Sequence, residues 1–248
     1  MSTVCIVQAR MRSTRLPGKI LQPIAGVPML FRVVARLRAA RTLDAVVVAL
    51  PDGPSDDPLA STCEAAGIAV HRGSETDVLD RYLSTARATG AGTIVRVTSD
   101  CPVIDPALVD EVVARRRETG ADYASNIVTR SFPRGLDAEA LSTGALERAA
   151  TEGTAPHHRE HVTAYVLESP GQFHIEAVTA PPDLHRPDVR WTVDTEEDLA
   201  ALRRLYEAVP AGERDTIGAA ALLALYDRDP GIAALNRHVR QKATTETA

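Results

Sequence analysis

The sequence predicts an α/β domain, a mostly parallel sheet with helices on both faces. Three observations carry this. Short aliphatic runs at residues 4–7, 45–50, 68–70 and 93–97 each stop at a polar loop. Between them, apolar residues recur at helical spacing. Strand and helix alternate from residue 4 to residue 97, the pattern of a parallel sheet rather than of hairpins.

Val4-Cys5-Ile6-Val7 reads as a buried first strand. Residues 28–38 place Met29, Leu30, Val33, Val34 and Leu37 on one helical face, and Pro28 suits a first turn. Residues 45–50 are a second strand, followed by a polar loop over 51–57. A helix over 58–66 stops at Gly67, and a third strand covers 68–70. A helix over 76–89 ends at Gly90, and 93–97 is the fourth strand. The second half is less regular. Helices are expected over 106–118, 142–151 (Ser142 as N-cap) and 156–168, and strands over 122–127, 173–178 and 190–193. A helix over 195–206 opens on Thr195-Glu196-Glu197-Asp198. No repeat or low-complexity linker divides the chain. Residues 1–248 therefore read as one domain, with 125–190 as an inserted, lid-like part and 212–248 as a helical tail.

Hydrophobic residues make up 44% of the chain and aromatics only 4%, so a sizeable core is expected, built from aliphatic side chains. The net charge of −5 argues against general nucleic-acid binding, which needs clustered Lys and Arg. Cys5, Cys63 and Cys101 are scattered and odd in number, against a disulfide framework or a Cys-type zinc site. No run reaches the roughly 20 apolar residues that span a membrane. The N-terminus lacks a signal peptide's basic-then-apolar order. A soluble cytoplasmic protein is expected.

In parallel sheets, ligands bind beyond the carboxyl ends of strands. The loop after the first strand, residues 8–19, holds Arg10, Arg12, Arg15 and Lys19. Converging cations and backbone N–H groups suit a nucleoside triphosphate. Arg offers a planar fork for phosphate oxygens, and Lys a mobile point charge. Ser13 and Thr14 add hydroxyls, and Pro17-Gly18 turns the chain so that Lys19 points back. The Walker pattern is absent. Taken alone, the cluster also fits a solvated basic loop.

Ala9-Arg10-Met11-Arg12-Ser13-Thr14-Arg15-Leu16-Pro17-Gly18-Lys19 resembles the opening of the CMP-sugar synthetases, the cytidylyltransferases that activate acidic sugars. The match is best to their spore-coat-polysaccharide-type branch. Further segments are similar to that branch and stand in its order. They are Arg72-Gly73-Ser74-Glu75-Thr76-Asp77-Val78-Leu79, Thr98-Ser99-Asp100-Cys101-Pro102, Gly135-Leu136-Asp137, Arg159-Glu160-His161-Val162-Thr163 and Arg190-Trp191-Thr192-Val193-Asp194-Thr195. Arg12 and Ser99 stand where glycine is common in the branch.

The resemblance implies a Rossmann-like sheet of the nucleotide-diphospho-sugar transferase type. It also implies transfer of CMP from CTP to a small acidic acceptor, with release of pyrophosphate, and a homodimer. Nucleotide contacts are then expected from Gln8, Ala9, Arg10, Ser13, Thr14, Arg15, Lys19, Arg72, Ser74 and Asp100. Arg10, Arg15 and Lys19 are expected to stabilise the leaving pyrophosphate. Asp100 and Asp194 follow strands, and if those strands are neighbours both carboxylates reach one rim and suit Mg²⁺; the resemblance implies this role for both. Read singly, Asp100 is also a turn former and Asp194 also a helix N-cap. Ser74 is equally a capping residue of the helix that follows. Asn126, Arg134, Asp137 and His161 are the acceptor-side candidates, with a buried structural role open for His161. Asp105 and Asp198 read as turn and helix-surface residues.

Two other classes fit the sequence less well. A glycosyltransferase would show a D-x-D motif, which Asp100-Cys101-Pro102 lacks. A non-catalytic nucleotide-binding module would not need Arg15, Lys19, Asp100 and Asp194 together. His157-His158-Arg159-Glu160-His161 matches the H-x-x-E-H zinc-peptidase spacing, but His174, His185 and Glu168 offer no third ligand at a known spacing.

Overall fold

In a computed structural model, which describes residues 2–241, a seven-stranded sheet carries helices on both faces. The chain runs β1 (Ser2–Gln8), β2 (Pro23–Ile24), β3 (Val27–Pro28), α1 (Met29–Arg38), β4 (Ala45–Pro51), α2 (Asp57–Ala65), β5 (Ala69–Gly73), α3 (Val78–Thr89), β6 (Ala91–Thr98) and α4 (Pro106–Thr119). It continues through β7 (Tyr123–Ser125), β8 (Glu139–Ser142), α5 (Thr143–Glu152), α6 (Pro156–Glu160), α7 (Ala164–Glu168), β9 (Ile175–Ala177), α8 (Glu196–Glu207), α9 (Ala219–Arg228) and α10 (Pro230–Asn236). The strand order is β5-β4-β1-β6-β8-β7-β9. The first four of these are parallel, as their alternation with helices requires.

Side-chain alternation along β1 explains the two layers. Cys5 and Val7 face one side, in a core with α1, α4 and α8, whereas Val4 and Ile6 face the other, in a core with α3 and α5. Apolar residues on both faces are what a doubly covered strand needs. The helices stop where the chemistry dictates. Asp77 caps α3 by accepting from Asp80 N–H at 2.8 Å, and α3 ends at Gly90 in the left-handed conformation. Ser142 caps α5 as expected.

Four elements depart from the sequence reading. β8 was not foreseen. It is four residues long, contains Glu139, and pairs antiparallel with both β6 and β7. Glu139 is tolerated at 2% exposure because Arg96, Tyr123 and Thr163 all donate to it. Residues 190–193 form no strand; a single bridge pairs Arg190 with Arg134. The helix expected over 156–168 is broken into α6 and α7, with His161 extended between them (φ −106°, ψ 91°). A two-residue hairpin, β2–β3, turns through Ala25 (φ 48°) and Gly26 (φ 81°) ahead of α1. Asp198 is also not on the surface: it is 0% exposed at the start of α8. Of the tail, α9 and α10 are helical, whereas residues 242–248 lie outside the described residues. Leu222, Leu223 and Tyr226 are buried in this chain's own core.

Buried polar groups pin the layers. Arg36 is 0% exposed and donates to the carbonyls of Ile104 (2.7 Å), Arg214 (3.0 Å) and Ile217 (2.6 Å), joining α1 to two distant segments. Asp105 caps α4 through Ala107 N–H and accepts from Ala219 N–H at 2.7 Å. Asp110 accepts from Thr42 Oγ1 (2.7 Å) and from the N–H groups of Thr42 and Arg41.

Two predictions follow from these contacts. Burial would raise the Asp110 pKa, but the hydrogen bonds from Thr42 and Arg41 outweigh it and hold it below the usual carboxylate value. A depressed folded-state pKa contributes stability above the unfolded value, and that stability is lost as pH falls through the folded one. Asp110→Ala is therefore expected to cost about 1–2 kcal/mol near pH 7. In paired denaturant titrations the gap should shrink below about pH 4; a gap independent of pH refutes the assignment. Gly135 sits at φ 102°, where a Cβ would come within 2.5 Å of the Trp191 carbonyl carbon. Gly135→Ala should lower stability by about 2–4 kcal/mol by the same measurement, and an unchanged midpoint would contradict the close approach.

Candidate active site

From β1 the chain proceeds to β4 on one flank, then returns to β6 on the other. Ligands of open α/β sheets sit at such a reversal. The two strand ends are level, Gln8 opposite Thr98, and a cleft of about 470 Å³ opens beyond them.

The loop after β1 forms one wall. Gly18 adopts φ 69°, and its N–H donates to the Met11 carbonyl at 3.0 Å. Met11 N–H in turn donates to buried Asp56 at 2.6 Å. The loop is thus closed on itself and tethered to the segment after β4. Lys19 leaves the Pro17-Gly18 turn pointing inward, as its sequence context implies. Its Nζ donates to Asp100 (3.2 Å), Asp194 (3.0 Å) and the Val193 carbonyl (2.7 Å). Arg15 and Arg190 approach the other Asp194 oxygen at 3.0 and 2.9 Å. Thr98 donates to the second oxygen of Asp100 at 2.6 Å.

Asp100 and Asp194 are therefore brought together, 94 positions apart in sequence. Residues 190–194 reach Asp100 without being a strand, because Val193 N–H and Thr192 Oγ1 both bond its carbonyl. Thr195, not Asp194, caps α8. Burial alone would depress the Lys19 ammonium, but Asp100 and Asp194 hold its pKa above the usual lysine value. Burial would raise Asp194, but Lys19, Arg15 and Arg190 hold it below the carboxylate range. Each carboxylate aims one oxygen at the Lys19 ammonium. Hard, anionic oxygen ligands converging beside a cationic loop fit a hard divalent cation, and Asp100 and Asp194 are the residues that could hold it.

Gln8, Ala9, Arg10, Ser13, Thr14, Arg15, Lys19 and Asp100 all line the cleft. Arg12 lines it too, but its side chain is 74% exposed and pairs with Glu75, a contact of at most about 1 kcal/mol. Arg72 and Ser74 are elsewhere. The Arg72 guanidinium donates to the carbonyls of Pro51 and Gly53 and pairs with Asp57. Ser74 Oγ accepts from Asp77 N–H within the loop ahead of α3, whose cap is Asp77 and not Ser74. Both hold the loops around α3 rather than facing the cleft.

On the acceptor side, Arg134, Asp137 and His161 line the cleft. Asp137 accepts a two-pronged pair from Arg130 (2.5 and 3.0 Å). Arg134 forms no ion pair with a described carboxylate; burial and then Arg130 push its pKa down. His161 Nε2 is buried without a partner. Asn126 does not reach the cleft. It is 0% exposed, and its amide bonds Leu136 O and Ala138 N–H, bracing the turn that carries Asp137. Arg81, Arg96, Thr98, Arg130, Thr192 and Gln241 also line the cleft and were missed. A signal existed for two of them: Arg96 interrupts the apolar run of β6, and Arg81 sits on the apolar stripe of α3.

The H-x-x-E-H segment builds no peptidase site. α6 ends at Glu160, so His157 and His161 do not share a helical face. His157 and His158 instead meet Glu168, both at 2.9 Å, the one three-residue grouping of potential metal ligands among the described residues. His158 Nδ1 accepts from Ala155 N–H. Neutral His158 therefore carries its proton on Nε2 and donates it to Glu168, so that nitrogen is not free for a metal.

Comparison with known proteins agrees with this geometry. Residues 4–216 match the family model described as cytidylyltransferase. The chain is 34% identical to the spore coat polysaccharide biosynthesis protein SpsF of Bacillus subtilis (strain 168), over 92% of this chain and 95% of that one. It is 30% identical to a 3-deoxy-manno-octulosonate cytidylyltransferase of Anaeromyxobacter sp. (strain Fw109-5), over 83% and 97%. Among solved structures, a cytidylyltransferase from Leptospira borgpetersenii superposes with a TM-score of 0.87 at 30% identity, covering 94% of this chain and 96% of that one. With the sheet, the cationic loop and the paired carboxylates in place, the chain belongs to the cytidylyltransferase family.

Proposed function

We propose that this protein transfers CMP from CTP to an acidic sugar or similar small acidic acceptor, releasing pyrophosphate, with Mg²⁺ as cofactor. The observation that carries the reading is the convergence of Asp100 and Asp194 on Lys19 at the mouth of the cationic loop. The names of the similar proteins support CTP as the donor and a sugar acid as the first acceptor to try.

An acceptor oxygen attacks the α-phosphorus; the bond to the β-phosphate oxygen breaks and pyrophosphate leaves. Such transfer depends on positioning and on neutralising charge. Bound Mg²⁺ supplies charge neutralisation on phosphate oxygens, and Asp100 and Asp194 would hold it. Arg10, Arg15 and Lys19 stabilise charge building on the pyrophosphate. Ser13, Thr14 and the loop backbone orient the chain of phosphates. Across the cleft, Arg134, which forms no ion pair with a described carboxylate, suits the acceptor's anionic group, carboxylate or phosphonate alike. Arg130 fixes Asp137, which accepts hydrogen bonds from acceptor hydroxyls. His161 offers its unpartnered Nε2 on the same side.

The test is pyrophosphate release by the purified protein with Mg²⁺. CTP, UTP, ATP and GTP are each offered against acidic sugars and small phosphonates. CTP-dependent release is expected with at least one acceptor, lost on chelation, and reduced at least about 100-fold in Asp100→Ala. The reading fails if no nucleotide turns over with any acceptor, or if Asp100→Ala is as active as the parent.

A further inference from the structure

Buried polar atoms are nearly always hydrogen-bonded, and exceptions mark places where a ligand completes the set. Among the described residues seven buried side-chain polar atoms lack partners; Gln8 Oε1, Arg81 Nε, Arg96 Nε and His161 Nε2 belong to residues that line the cleft, whereas Arg116 Nε, Trp191 Nε1 and Arg214 Nε do not. Arg81 stands apart from the others. It is 2% exposed. Its guanidinium has one hydrogen bond, from Nη1 to the Ser74 carbonyl at 2.5 Å, and no ion pair with a described carboxylate. The other deeply buried arginines are compensated: Arg36 by three carbonyls, Arg32 by Asp215, Arg96 by Glu139.

The local chain makes room for this exception. Gly73, at the end of β5, has no side chain, and a Cβ there would lie 3.2 Å from Arg81 Cγ. Arg81 can therefore pass beneath the strand end from the first turn of α3 into the cleft. Arg10 enters from the loop after β1, also without a described carboxylate partner, and is near enough to disfavour further the charge that burial already disfavours on Arg81. Two guanidinium groups in one cleft, one of them desolvated and neither ion-paired with a described carboxylate, suit an anionic ligand.

We propose that Arg81 is a ligand for the polyphosphate of the nucleotide, acting with Arg10 and donating to a phosphate oxygen through the Nε–H that the protein leaves unpartnered. It is a binding residue, drawn from α3 rather than from the cationic loop. The inference rests on the nucleotide-substrate reading above, but its test does not depend on CTP being the nucleotide.

Calorimetric titrations with CTP and, separately, with inorganic tripolyphosphate, both with Mg²⁺, compare the parent protein with Arg81→Gln. Losses of about 10-fold or more are expected for both ligands, because the lost contact is a charge-assisted hydrogen bond. Unchanged tripolyphosphate affinity overturns the proposal. If CTP binding alone weakens, the contact is to the nucleoside and not to the phosphates; if neither changes, Arg81 binds no part of the nucleotide. Should Arg81→Gln fail to fold, the parent protein decides. The arginine Nε–H resonance that is absent from the Arg81→Lys spectrum must shift when tripolyphosphate is added to the parent, and a stationary resonance refutes the assignment. Tripolyphosphate carries no base, so a failure of CTP turnover and a failure of Arg81 to bind phosphate are separate results.

Discussion

The Lys19 ammonium, seated between Asp100, Asp194 and the Val193 carbonyl, is the contact on which the rest of the site depends. It gathers the loop after β1, the end of β6 and the approach to α8 at one point. Lys19 and Asp194 are largely buried, with side chains 12% and 14% exposed. An exposed pair is worth at most about 1 kcal/mol, whereas removing one member of a buried pair costs about 3–5 kcal/mol. The cost is high here because two carboxylates would be left facing each other. The opposite shifts of Lys19 and Asp194 express the same fact: each stays charged because the other is there. A pair of carboxylates held this close needs such a counter-charge.

The arginines of the core and of the cleft divide into those that hold the fold and those left without a partner among the described residues. Arg36 spends its donors on three carbonyls and behaves as a staple. Arg96 meets Glu139, which Tyr123 and Thr163 also satisfy, so a charged pair survives in the middle of the sheet. Arg10, Arg81 and Arg134 have no such partners among the described residues. They occur on three different elements and share only the cleft. A charge distribution of this kind is costly for the protein alone and favourable once an anionic ligand enters, so a chain of net charge −5 still presents a local cationic site.

Much of the frame was legible in the sequence because parallel strands buried on both faces are written as aliphatic runs. The cationic loop and the two aspartates were legible as motifs. What escaped was set by long-range pairing. β8 contains a glutamate and has no apolar run, and only the pairing of Glu139 with Arg96 makes it a central strand. Residues 190–193 have the composition of a strand, but their hydrogen bonds go to Arg134 and Asp100 instead of a ladder. Arg72, Ser74 and Asn126 lie in or near segments that resemble the family, yet Ser74 and Asn126 spend their polar atoms on neighbouring backbone, and Arg72 on two carbonyls and Asp57. Proximity to a motif did not show which way a side chain points. Arg81 carried a signal, a charge on an apolar helical face, that acquires meaning only once Gly73 is seen to leave it a path.

The end of the described chain is tied to the same site through buried Asp198. Its carboxylate accepts from Arg190, from the N–H groups of Asp194 and Thr195, and from Asn236 on α10. Arg190 then reaches across to the Asp194 carboxylate and bonds Gln241 on its outer side. Asp194 is thus fixed at both its backbone and its side chain by groups that answer to Asp198. α10 closes the arrangement from behind, because Asn236 also bonds the Arg190 carbonyl at 3.1 Å. A carboxylate at the end of an irregular segment has no strand ladder to hold it. Here a buried, fully hydrogen-bonded aspartate takes the place of that ladder, and this gives the C-terminal helices a reason to pack beside the site.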